Sequence, residues 1–252
     1  MDVMTSSTID VSTADGTADC YLTRPDDAAP HPGVLLFMDA IGMRPQIHRM
    51  ADRIAEQGYV VLAPNVFYRA GRAPIWPTPA LHDPAARAEF FATIAPLMGE
   101  ISADGCRLAV RDADAYLAEL GKHTDGLIGI SGYCLGGRLG WASAAAYPTR
   151  VAALGGFHTG RMVTDAPDSP HLLAPQVAAE IYWGHAGVDD SMTPNNVADL
   201  NAAMDAAGLT YTTEVYQGAH HGYTMADMGA YNEQAAERHY AALFELLART
   251  LS

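Results

Sequence analysis

Three short runs hold the residues best suited to covalent chemistry. The first is Gly132-Tyr133-Cys134-Leu135-Gly136-Gly137. It has the form G-x-nucleophile-x-G, in which small residues let a strand and a helix approach closely around a sharp turn. A cysteine thiolate there could attack an acyl carbon, and the start of a helix beneath it would favour both the thiolate and an oxyanion. The second run, Gly184 to Pro194, contains adjacent carboxylates at Asp189 and Asp190. The third, Gln217 to Tyr223, contains adjacent imidazoles at His220 and His221. An acid that orients an imidazole, and an imidazole that moves the thiol proton, would complete a nucleophile, base and acid set. Spacing alone chooses neither between the two aspartates nor between the two histidines. The competing reading of Cys134 is a buried structural cysteine in a glycine-rich turn. Cys20 and Cys106 lack the strand and helix context and read as ordinary small apolar residues.

Such groups need elements to hold them. Residues 8–13 and 17–24 read as two strands around an Ala14-Asp15-Gly16 turn. The apolar runs Val34 to Met38 and Tyr59 to Leu62 suit strands buried on both faces of a parallel sheet. Between them, Pro45 to Gln57 has a helical apolar face through Ile47, Met50 and Ile54, and Gly58 ends it. Ser102 to Leu120 reads as a helix, Leu127 to Ile130 as a strand, and Leu135 to Ala146 as a small-residue helix. Val151 to Phe157 and Glu180 to Trp183 read as further strands. Pro194 opens a helix to about Ala207 behind an N-cap at Thr193. Thr210 to Tyr216 alternates as a strand, and Tyr231 to Thr250 is a long amphipathic helix. Strands alternating with helices predict a mostly parallel sheet covered on both faces, in one domain over residues 1–252. The stretches 67–100 and 158–179, rich in Pro, His and aromatic residues, are expected to be long connections that build a pocket. In this frame Cys134 stands between a strand and a helix. The N–H groups of Leu135 and Ala40 are then the expected oxyanion donors.

Composition sets the context. About half of the 252 residues are hydrophobic, and the formal net charge is -14. This is the composition of a chain with a packed core. An acidic surface repels phosphate backbones and anionic lipid, so neither nucleic acid nor a membrane is an expected partner. Three cysteines form no CxxC pair and no zinc-like spacing, so neither a disulfide framework nor a metal is expected. The first residues lack a basic segment followed by an apolar one, and no apolar run is long enough to span a bilayer, so the expected location is cytoplasmic.

The Gly-Tyr-Cys-Leu-Gly-Gly run, the Gly184 to Met192 loop, the Gly-Ala-His-His-Gly-Tyr run and the Gly58 to Asn65 strand together resemble the dienelactone hydrolase family, over residues 8–250. The resemblance implies an α/β-hydrolase fold, no cofactor, and a small ester or lactone as substrate, handled by a monomer or small homo-oligomer. It selects Asp189 as the acid and His221 as the base. It assigns to Asp39 the acidic residue that helps activate the thiol, where better-studied members carry glutamate. It matches Arg69, with Arg72 as a rival, to one of two arginines that bind a substrate carboxylate. The place of the other holds Met225. Tyr133 and His158 are the remaining expected substrate contacts. The expected function is therefore a cysteine-dependent hydrolase acting through Cys134, His221 and Asp189. The alternatives are a carboxylesterase or thioesterase for another acyl group, a non-catalytic scaffold, and a cysteine redox sensor.

Overall fold

A computed structural model describes residues 4–27, 29–77 and 81–251. Eight strands form one sheet in the order β1-β2-β4-β3-β5-β6-β7-β8. The strands are β1 (Met4–Thr13), β2 (Gly16–Pro25), β3 (Gly33–Phe37), β4 (Val60–Pro64), β5 (Ile128–Tyr133), β6 (Val151–Phe157), β7 (Glu180–Val188) and β8 (Tyr211–His220). The hairpin β1–β2 and the β2–β4 pair are antiparallel, and every pair from β4 to β8 is parallel. All residues of β3, β4 and β5 are buried, which is why they read as unbroken apolar or small-residue runs.

Helices cover both faces. Helix α1 (Pro45–Ala55) and α5 (Glu233–Thr250) lie together, joined by the Arg53–Glu237 ion pair and by Arg53 stacking 3.8 Å over the Tyr240 ring. On the other side, α2 (Pro84–Leu120) packs on α3 (Leu135–Ala146), and α4 (Pro194–Ala207) follows β7. The Thr193 hydroxyl and Asn196 side chain form a reciprocal capping box at the start of α4, and Gly208 ends it in the left-handed conformation.

Two expectations change. Residues 84–100, the second half of the expected 67–100 connection, are helical, and residues 78–80 of that connection lie outside the described ones. Helix α2 is also interrupted, because Asp104, Gly105 and Cys106 all have positive φ (52°, 65° and 63°). The expected helix from Ser102 is thus the second half of a longer, broken one. Strands β7 and β8 run further than their apolar cores, to Val188 and His220. Their ladder continues past a register shift between Ala186 and Val188. That extension delivers the acid loop and the histidine loop side by side. No described helix is long and apolar enough to cross a membrane.

Candidate active site

Cys134 lies directly after β5 and caps α3, with φ 54° and ψ −116°. This conformation is costly for a residue with a side chain, and such strain concentrates at sites where geometry matters more than comfort. Two glycines make the turn possible. A Cβ on Gly136 would lie 2.2 Å from the Phe37 carbonyl oxygen, and one on Gly132 would lie 2.5 Å from the Gly136 carbonyl oxygen. Both obstacles are backbone, so neither can yield. The Cys134 N–H donates to Phe157 O at 3.1 Å, which ties the turn to the end of β6. The start of α3 is thereby pressed against the end of β3, next to Ala40. The Leu135 and Ala40 N–H groups have no backbone acceptor among the described residues.

Asp189 and His221 each follow the last residue of their strand. His221 N–H donates to Val188 O at 3.3 Å, and His221 Nδ1 lies 2.6 Å from Asp189 Oδ2. The other carboxylate oxygen of Asp189 accepts from the Ser191 N–H at 2.8 Å and hydroxyl at 2.6 Å. Burial works against charge on Asp189, but these bonds and His221 outweigh it and hold the carboxyl below its ordinary range. The neighbouring Asp190 and His220 are exposed and make no such contact. For His221, burial again opposes the charged form. The negative charge that a Cys134 thiolate places nearby, together with the bond to Asp189, outweighs this and pushes the imidazole up to about 10. Cys134, His221 and Asp189 are therefore within electrostatic reach of one another at the carboxyl edge of the sheet. A cleft of about 590 Å³ opens on His221 and Asp189, walled by Phe91 and Arg87 of α2 and by Met228. The 67–100 stretch thus reaches the cleft as a helix rather than as a loop.

Other expected residues are placed differently. The Asp39 carboxylate is 3% exposed and grips the Arg44 guanidinium with both oxygens, at 2.7 and 2.9 Å. Arg44 also reaches Asp227 at 2.6 Å. Asp39 further accepts the Ile41 N–H at 3.1 Å, which shapes the turn carrying Ala40. Its charge is compensated by arginine, and among the described residues no hydrogen bond joins it to the Cys134 thiol. Arg69 is held by Asp112 at 2.7 and 2.8 Å, and by Asp15. Its rival Arg72 is exposed and paired with Asp10. Neither has a guanidinium free for a substrate carboxylate. The Tyr133 side chain is fully buried, its hydroxyl between Ser131 and His239 of α5, so it faces the core and not a substrate. His158 is 1% exposed, bonds Thr224 through Nε2 at 2.7 Å, and lies edge-on to His221 with centroids 5.2 Å apart. Burial first, then the neighbouring imidazoles, drive it well below its ordinary value. It is a neutral ring packed behind His221, and its expected substrate contact is corrected as well.

The geometry also contains partners that the sequence reading omitted. Ser191 braces the acid, and its position two residues after Asp189 is a recognisable Asx-turn signal. Arg44 and Asp227 are 183 residues apart, and no local pattern links them. Among the described residues, no group of three or more His, Cys, Asp or Glu is arranged to hold a metal ion.

The sequence profile of the dienelactone hydrolase family matches residues 18–251. The chain belongs to the dienelactone hydrolase family. It is thereby a hydrolase of the carboxylic ester class, on an α/β-hydrolase fold. A carboxymethylenebutenolidase of Rhodococcus opacus is 28% identical over 204 residues, covering 81% of this chain and 74% of the relative. Among solved structures, a dienelactone hydrolase-like promiscuous phosphotriesterase from metagenomic libraries superposes with a TM-score of 0.78 at 20% identity, covering 99% of both chains. A dienelactone hydrolase from Anabaena variabilis gives 0.68 at 18% identity, again covering 99% of both. At these identities the structural likenesses speak for the fold.

Proposed function

We propose that the chain is a cysteine-dependent hydrolase of ester or lactone bonds. The observation that carries this reading is the strained Cys134 turn facing a His221 that is 2.6 Å from a buried Asp189. His221 takes the Cys134 proton, leaving a thiolate beside an imidazolium. The sulfur attacks the carbonyl carbon, and the electron pair of the C=O bond moves to oxygen. The Leu135 and Ala40 N–H groups stabilise that oxyanion. The tetrahedral adduct collapses, the C–O bond to the leaving group breaks, and His221 gives its proton to the departing oxygen. Neutral His221 then takes a proton from water, and the hydroxide attacks the thioester. The second adduct expels the thiolate and releases the carboxylic acid. Asp189 stays ionised throughout and holds the imidazole in one orientation. With Asp39 committed to Arg44, activation of the thiol falls to His221 alone.

One observation favours a general carboxylesterase over a lactonase for dienelactone itself. Arg69 and Arg72 are both ion-paired away from the cleft, and Met225 is fully buried. A panel of neutral aryl esters and cis-dienelactone, run with iodoacetamide inactivation, tests the reading. Turnover of the esters, lost in step with alkylation of Cys134, is expected. Turnover that survives complete alkylation of Cys134 rejects the cysteine mechanism.

The His221 value fixes a pH dependence. The reactive form carries the proton on imidazole, so activity persists through neutral pH and falls as pH rises through about 10, where that proton is lost. The kcat/KM for a neutral aryl ester, followed from pH 6 to 11 and corrected for hydroxide-driven hydrolysis, is expected to show a basic limb near 10. A basic limb below pH 8 would contradict the ion pair.

A further inference from the structure

A second cavity, of about 360 Å³, lies against α3. Its walls are the break in α2, with Ser102 and Cys106, then Arg138 of α3, and the segment from Arg161 to Asp168 that follows β6. Arg138 stands four residues beyond Cys134, about 6 Å along the helix axis. Its Nη2 donates to Ser102 Oγ at 3.1 Å, while its Nε is buried without a partner. Arg161 is exposed, and its N–H donates to Ser191 O at 2.7 Å, which binds it to the acid loop. A Cβ on the preceding Gly160 would lie 3.6 Å from His221 Cε1, so this segment runs alongside the imidazole.

Neither arginine forms an ion pair among the described residues, although most arginines of the chain do. Burial works against the Arg138 charge, and the buried Cys106 thiol, pushed up to about 11, supplies no counter-charge at neutral pH. The one carboxylate on the wall is Asp168, exposed and holding the Gly105 N–H at 3.1 Å. Two guanidinium groups and one carboxylate leave the cavity with a single net positive charge. That balance suits one carboxylate better than a phosphate dianion. Met98, Ala95 and Pro170 line the remaining wall, so the ligand also carries a short apolar stretch.

We propose that Arg138 and Arg161 form a carboxylate subsite for the far end of the acyl chain, making half-esters of short dicarboxylic acids preferred substrates. The proposal rests on the hydrolase reading of Cys134. Arg138 follows Cys134 by about one helical turn of backbone, and Arg161 follows the Gly160 that runs beside His221, so a carboxylate held there belongs to an acyl chain of a few carbons, for which a six-carbon diacid is the probe.

The test compares the 4-nitrophenyl half-ester of adipic acid with 4-nitrophenyl hexanoate. The ratio of their kcat/KM values is expected to exceed about ten in the native enzyme. In Arg161→Gln the ratio falls about tenfold or more, the size of one charge-assisted hydrogen bond. In Arg161→Lys it falls less, because the charge remains. Valerate is expected to inhibit more strongly than inorganic phosphate. A native ratio near one, a ratio unmoved by Arg161→Gln, or stronger inhibition by phosphate overturns the subsite while leaving the hydrolase reading intact. If neither ester is turned over, the hydrolase reading fails, and calorimetry with monomethyl adipate decides the subsite. Binding that Arg161→Gln abolishes supports it, and no binding by the native chain overturns it.

Discussion

Cys134→Ala is expected to lower kcat/KM for a neutral aryl ester by about 10⁴-fold or more, with an unchanged far-ultraviolet circular dichroism spectrum. The variant removes the one cysteine thiol of the chain that is not buried. Cys20 and Cys106 are buried, and burial raises both of their thiols, Cys106 to about 11. The oxyanion donors and the cleft survive the substitution, so a residue of rate enhancement over water remains. His221→Ala is expected to cost a similar factor. The double variant should be hardly slower than either single one, because nucleophile and base act as one unit. Simple multiplication of the two losses in the double variant, or ester turnover near the native rate in both single variants, would reject the proposed mechanism.

Arg44→Met is expected to destabilise the fold by about 3–5 kcal/mol, read from urea unfolding. The side chains of Asp39 and Arg44 are each only 4% exposed, and Asp227 completes the cluster. Methionine keeps much of the apolar bulk but leaves the Asp39 carboxylate buried without its cation. For a chain of this length such a loss lowers Tm by about 10 °C. Neutralising all three positions, as Asp39→Asn, Arg44→Met and Asp227→Asn together, is expected to recover most of the loss, since the main cost is the orphaned charge. No recovery in the triple variant would mean that packing, and not charge, dominates the site. Activity should fall further than stability explains. Asp39 shapes the turn that presents the Ala40 N–H, and Arg44 ties that turn to the loop downstream of His221.

How much of this was legible in the sequence depended on how local the cause was. Strand β6 and helix α4 lie where they were expected, the first from a short run suited to burial, the second from Thr193-Pro194 and Gly208. The first half of α2 was not seen. Pro96 lies inside it, Phe90 and Phe91 are adjacent, and Ile94 and Ile101 are its only fully buried side chains. Too little apolar periodicity reaches the core to overrule a loop-like composition. In the site, Cys134 was legible from its glycines and its place between strand and helix, whereas the spacing left Asp189 against Asp190 and His221 against His220 open, and only the family resemblance chose between them. Arg69 was misplaced because its partner Asp112 lies 43 residues away on a helix, and no spacing rule reports that pairing. Tyr133 failed for a simpler reason. Next to a nucleophile in sequence means the opposite side of the sheet in space, because strand side chains alternate.

The positive φ of Cys134 also sets a limit on how this protein can change. A local conformational penalty of about 1–3 kcal/mol sits at the one atom that must react. In landscape terms it is a point of local frustration, and it is placed where the chemistry is. Glycine at this position would relax the backbone and remove the chemistry in the same step. Variants selected only for thermal robustness would therefore drift toward an inert elbow, so robustness and reactivity compete at a single dihedral angle.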